Sequence, residues 1–217
     1  MIDPKDFIIT RKRKLYKFAL FANSPICFEY DEWQKSAVNM LEIGAGTGYF
    51  GVALAEQSPN EKVLAFDVKA DRLQQGARRA TEKNLDNIRF LRARADQLPE
   101  LFEPHSISKI WITFPDPFPR ERSSKHRLTH PNFLKIYADL LKSDGELYFK
   151  TDAKNLFDWS LEQLVVENWQ IEELTFDLHE SDLADHYKVE TTYESRYRNE
   201  GIKINFVKAT TPTSQGE

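Results

Sequence analysis

Three prolines within six residues constrain this chain more than any other feature. Pro115, Pro117 and Pro119 punctuate residues 114–119. Each ring removes an N–H and fixes φ, which excludes the segment from a helix interior and from a central strand. It must be a stiff loop, and the loop presents one carboxylate, Asp116. Arg120, Arg122, Lys125, His126 and Arg127 follow directly. An acid on a rigid loop beside a basic run suits a site that handles a polyanion carrying a reactive polar group. A solvated surface turn is the alternative.

The context of that loop is an alternation of strand and helix. Residues 38–43 form a short apolar run containing Glu42, and Gly44, Gly46 and Gly48 alternate after it. An amphipathic stretch with Phe50, Val52 and Leu54 comes next, so the segment reads as strand, glycine turn, helix. Residues 62–66 predict a second strand ending at Asp67, residues 88–91 a third leading to Asp96, and residues 107–113 a fourth feeding into the proline loop. Helices are predicted over 14–21, 71–83, 133–141 and 155–167, with further strands over 146–150, 169–177 and 203–207. Alternating β and α segments imply an α/β fold, a Rossmann-like, doubly wound and mostly parallel sheet with helices on both faces. In such a sheet ligands sit at the carboxyl ends of the strands. Glu42, Asp67, Asp96 and Asp116 would then share one rim. An acid two residues before the first glycine would repel a pyrophosphate, which argues against a dinucleotide. It suits S-adenosyl-L-methionine, with Asp67 on the ribose hydroxyls.

The sequence resembles the tRNA (guanine-N7-)-methyltransferases of the class I S-adenosylmethionine-dependent fold. The likeness rests on Leu41-Glu42-Ile43-Gly44-x-Gly46-x-Gly48 and on the 114–119 loop with its tail Lys125-His126-Arg127-Leu128-Thr129. It continues through Phe149-Lys150-Thr151-Asp152 and Thr191-Thr192-Tyr193-Glu194, in the family's order. Phe118, Arg120 and Asp67 stand where the family usually has Trp, Lys and Glu, which preserves aromatic, cation and carboxylate, and Ser123 or Ser124 stands where it has His. The resemblance implies methyl transfer from S-adenosyl-L-methionine to N7 of a guanine in tRNA, in the variable loop. It implies Glu42, Gly44, Gly46, Gly48, Asp67, Asp96 and Asp116 around the cofactor, and Asp116 as the catalytic group. It raises Arg120, Asp152, Thr191 and Glu194 to substrate contacts, beside Arg122, Lys125, His126 and Arg127 on RNA. For Asp152 the competing role is the N-cap of the following helix, and for Glu194 it is a surface acid. Competing functions are a methyltransferase for another RNA or a small molecule, a Rossmann oxidoreductase, and a non-catalytic RNA-binding relative.

Composition sets the remaining bounds. The 217 residues suffice for one α/β domain, expected over 38–208, with a basic arm at 1–37 and a disordered tail at 209–217. The net charge of −4 does not announce a nucleic-acid partner, but phosphate binding needs only a local patch. Two exist, the run around Arg120–Arg127 and Arg11-Lys12-Arg13-Lys14 with Lys17. A single cysteine, Cys27, excludes an intrachain disulfide and a cysteine-rich metal cluster, and the histidines show no close ligand pair, so no metal is expected. Neither a signal peptide nor an apolar run of roughly 18 residues is evident, so a cytoplasmic protein is expected, monomeric or homodimeric.

Overall fold

A computed structural model describes residues 12–212. The elements follow in the order α1 (Lys12–Ala22), β1 (Cys27–Glu29), β2 (Met40–Ile43), α2 (Tyr49–Gln57), β3 (Val63–Asp67), α3 (Ala70–Glu82), β4 (Ile88–Arg92), α4 (Leu98–Leu101) and β5 (Ile107–Thr113). They continue with α5 (Pro131–Leu140), β6 (Leu141–Thr151), α6 (Lys154–Val166), β7 (Gln170–Thr175), α7 (Thr192–Asn199) and β8 (Asn205–Thr210). The eight strands form one sheet in the order β1-β4-β3-β2-β5-β6-β8-β7. All the pairings from β1 through β6 are parallel, and β8 runs antiparallel to both of its neighbours.

The central strands are apolar on both faces, as a sheet covered by helices on each side requires. Leu41, Leu64 and Ile110 have 0% exposure, and burying each contributes about 1.5–3 kcal/mol. On one face Phe50, Leu54, Leu73 and Ala77 pack down from α2 and α3. On the other, Leu134 and Tyr137 of α5 and Leu156 and Phe157 of α6 close the core. Chain direction across the sheet reverses its order at β2, which has β3 on one side and β5 on the other. This is the switch point at which adjacent loops diverge and leave a crevice.

Two expectations change. Within the segment expected as an arm, the helix expected over 14–21 forms as α1 but packs on the core, burying Ala19 and Phe21, and β1, which was not expected, joins the sheet edge beside β4. Short apolar patches in a charged stretch were enough to fold it onto the core. Arg11 of the first basic run lies outside the described residues, and Lys12 opens α1. At the other end β8 extends two residues into the expected tail. Ala209 is fully buried and Thr210 pairs with Glu146 and Gln170. Residues 213–217 of that tail lie outside the described residues.

Candidate active site

A cleft of about 1100 Å³ opens at the carboxyl ends of the strands, over the switch point. Its floor is the glycine turn after β2. Gly44, Gly46 and Gly48 all have positive φ, 75°, 56° and 71°, a region closed to most side chains. A side chain at Gly46 would meet nothing within 4 Å, so the backbone there faces open space. The Gly46 N–H donates to Asp67 Oδ2 at 2.8 Å, and the Lys69 N–H donates to Oδ1 of the same carboxylate at 2.8 Å. Asp67 thus ties the ends of β2 and β3 together while lining the cleft.

Glu42 also lines the cleft but is 1% exposed. One of its oxygens accepts the Gly51 N–H at 2.8 Å, and the Thr113 hydroxyl donates to the other at 3.4 Å. Burial pushes its carboxyl up to about 8, against the Gly51 hydrogen bond that opposes the shift and with the nearby Asp67 charge adding to it. Asp96 sits in a 3₁₀ turn, Ala95–Gln97, on the cleft wall and holds an exposed ion pair with Arg94.

The opposite wall is the proline loop. Phe114 and Phe118 have φ of 48° and 42°, a left-handed conformation that costs a bulky residue of order 1–3 kcal/mol. Asp116 between them is exposed and lines the cleft. Asp152, at the end of β6, faces the same space. The N-cap of α6 is Ala153 without a side-chain bond, and the Ala153 N–H instead donates to the Thr151 hydroxyl at 3.1 Å. Asp152 therefore does not cap the helix, and its carboxylate is left toward the cleft.

The basic run forms a 3₁₀ turn, Glu121–His126, on the rim. Arg120, Arg122, Lys125 and His126 are exposed, and Lys125 and His126 line the cleft. Arg127 differs from them. It is 7% exposed, its guanidinium lies 4.3 Å from the Trp159 ring, and it donates two bonds to the Phe118 carbonyl.

Near the C-terminus Thr191 caps α7, accepting the Glu194 N–H at 3.0 Å, and lines the cleft. Glu194 has 0% exposure and does not reach the cleft surface. Its carboxylate accepts the Thr191 N–H at 3.1 Å, takes Lys150 Nζ at 3.3 and 3.4 Å, and lies 2.8 Å from His179 Nε2. Lys150 is fully buried in β6 and donates also to the Val189 carbonyl at 2.9 Å. Desolvation drives its ammonium down to about 8, against the pull of Glu194. Lys150 and His179 were not candidates on sequence grounds. The available signal was a lysine interrupting the apolar run Leu147-Tyr148-Phe149 near a strand end. Among the described residues no group of His, Cys, Asp and Glu could hold a metal ion, and no helix is long and apolar enough to cross a membrane.

The chain is similar to proteins of known kind. The profile of a family described as "Putative methyltransferase" matches residues 36–207. The tRNA (guanine-N(7)-)-methyltransferase of Cytophaga hutchinsonii is 41% identical over 172 residues, covering 78% of each chain. That of Brevibacillus brevis is 38% identical over 199 residues, covering 90% of this chain and 92% of its own. Among solved structures, the 16S rRNA methyltransferase KamB superposes with a TM-score of 0.61 at 15% identity, over 82% of this chain and 89% of its own. The 16S rRNA (adenine(1408)-N(1))-methyltransferase of Catenulisporales acidiphilia gives 0.58 at 12% identity, over 98% and 94%. At such identities these two structures speak for the fold.

Proposed function

The chain belongs to the tRNA (guanine-N7-)-methyltransferase family, and from that premise we propose that it transfers a methyl group from S-adenosyl-L-methionine to N7 of a guanine in tRNA. One observation carries the reading beyond family membership. The acids at the strand ends, the proline-loop Asp116 and the rim cations Lys125 and His126 all line a single cleft at the switch point.

The residues present suit this cofactor. Gly46 offers backbone with open space above it. The carboxylates of Asp67 and Asp96 around the turn favour a ligand with cationic groups and ribose hydroxyls and disfavour a pyrophosphate, and Glu42, which keeps its proton, adds no charge there. Asp67 keeps lone pairs for the ribose while anchored by two N–H groups. When bound, the cofactor would supply an electrophilic methyl group to the N7 lone pair of guanine, the methyl–sulfur bond breaking with its electron pair returned to sulfur as a neutral thioether and no proton removed.

The protein's task is then positioning and charge stabilisation. Methylation leaves the guanine ring cationic, and Asp116, on its stiff loop, stabilises that developing charge. Asp152 faces the cleft with a free acceptor edge suited to the guanine N1–H and amino group, and Thr191 lines the same wall. Glu194 supports Thr191 from below through the capping box rather than reaching the base. Arg120, Arg122 and Lys125 project from the rim, where the phosphates flanking an unstacked base would pass.

The test is methyl transfer from labelled cofactor to an unmodified tRNA transcript, with nucleosides identified after digestion. The expected product is 7-methylguanosine. Label on another nucleoside, or transfer to small acceptors with none to tRNA, would overturn the reading.

A further inference from the structure

The loop that carries Asp116 has few ties of its own. Pro115, Pro117 and Pro119 have no N–H to give, and Phe114 and Phe118 hold left-handed backbone. At its start the Phe114 N–H donates to the Lys150 carbonyl at 2.9 Å, continuing the β5–β6 register. At its far end the Phe118 carbonyl accepts from Arg127 Nε at 3.3 Å and from Nη2 at 3.0 Å.

Arg127 is placed for this and not for solvent. Lys125, His126 and Leu128 line the cleft, but Arg127 does not. It turns inward, 7% exposed, and its guanidinium lies over the Trp159 ring at 4.3 Å. His130 stacks beside the same indole at 6.4 Å. Trp159 comes from α6 and also lies outside the cleft lining. A phosphate contact needs an exposed fork of donors, and this fork is turned to a carbonyl and an aromatic face.

We propose that Arg127 is the positioning residue of the Asp116 loop, a forked clamp on the Phe118 carbonyl, backed by Trp159, that holds the strained turn in which Asp116 faces the cleft. The residue acts through the loop and not on RNA. The inference rests on the proposed role of Asp116 in methyl transfer, and it separates one cation of the basic run from the others by function.

Full-length Arg127→Lys and Trp159→Leu test it, with Arg122→Met for comparison. Lysine keeps the charge but cannot fork or stack, and Trp159→Leu leaves every cation in place. Both should lower the single-turnover rate at saturating tRNA and cofactor about tenfold or more, with the salt dependence of tRNA binding unchanged. Arg122→Met should instead weaken binding and make that dependence shallower by roughly one unit. Amide exchange over residues 114–126 should rise about tenfold or more in Arg127→Lys and Trp159→Leu. That readout does not depend on methyl transfer. An inactive wild type would therefore count against the proposed function, while unchanged exchange in both variants would overturn the clamp. A wild-type rate in Arg127→Lys, with a shallower salt slope in Arg127→Met, would overturn it too and return Arg127 to the phosphates.

Discussion

Replacing Lys150 by methionine removes one half of a buried ion pair and leaves the other. Both side chains have 0% exposure, with Nζ 3.3 Å from Glu194 Oε1. The ammonium also faces the Phe50 and Trp111 rings at 5.3 and 5.9 Å. Breaking such a pair typically costs about 3–5 kcal/mol, because an uncompensated charge stays buried. Here Glu194 retains the Thr191 N–H and the His179 contact, which places Lys150→Met near the lower end, about 3 kcal/mol. For a domain of this size that corresponds to a fall in Tm of roughly 6–12 °C. Urea denaturation should show a lower midpoint with an unchanged slope. The double variant Lys150→Met/Glu194→Gln removes the stranded charge and keeps the shape of the cap. It should recover at least half of the loss, since the two sites are coupled. A single variant within about 1 kcal/mol of wild type would refute the reasoning, as would a double variant whose cost is the sum of the singles.

Asp116→Asn keeps the loop's shape and removes its charge. It should cut single-turnover methyl transfer by about 10²–10³-fold with cofactor affinity little altered, and a near-wild-type rate would move the role to Asp152. Glu42, held up at about 8 by burial, keeps a proton in the folded chain that the unfolded chain loses in the ordinary carboxylate range. Its contribution to stability therefore falls as pH rises toward 8 and is flat above. Glu42→Gln should gain on wild type in urea midpoint between pH 5 and pH 8, and a gap that does not change with pH would count against the buried carboxyl. Asp67→Ala frees the Gly46 and Lys69 N–H groups, and calorimetry should show S-adenosyl-L-methionine binding weakened at least tenfold. Neutralising Arg122 and Lys125 together should reduce the salt slope of tRNA binding by roughly two units, one per lost phosphate contact, as read from titrations at several salt concentrations.

The local chemistry of this chain was written along it. The glycine turn, the proline loop and the main alternation of strands and helices follow from residues whose backbone preferences are narrow and sit within a few positions of where periodicity puts them, whereas β1, α4 and α7 were not anticipated. The acids at the strand ends are equally local, because a parallel sheet delivers every carboxyl end to one side. What each side chain meets there is a long-range fact. Glu42 and Asp67 look alike as acids ending strands, yet one is buried against α2 and the other is tied to the glycine turn. Glu194 and Asp152 looked like equivalent base contacts. Folding turns the first inward from the first turn of α7 to meet Lys150, forty-four residues away in sequence, and leaves the second open to the cleft. Arg127 stands in a run of cations that nothing in their spacing distinguishes. It becomes a buried donor because α6 brings Trp159 beneath it and the proline loop turns the Phe118 carbonyl toward it. Sequence fixes which groups are available and how the backbone can bend. The packing of distant segments decides which charges stay in water and which must find partners, since the cost of burying a charge depends on everything around it.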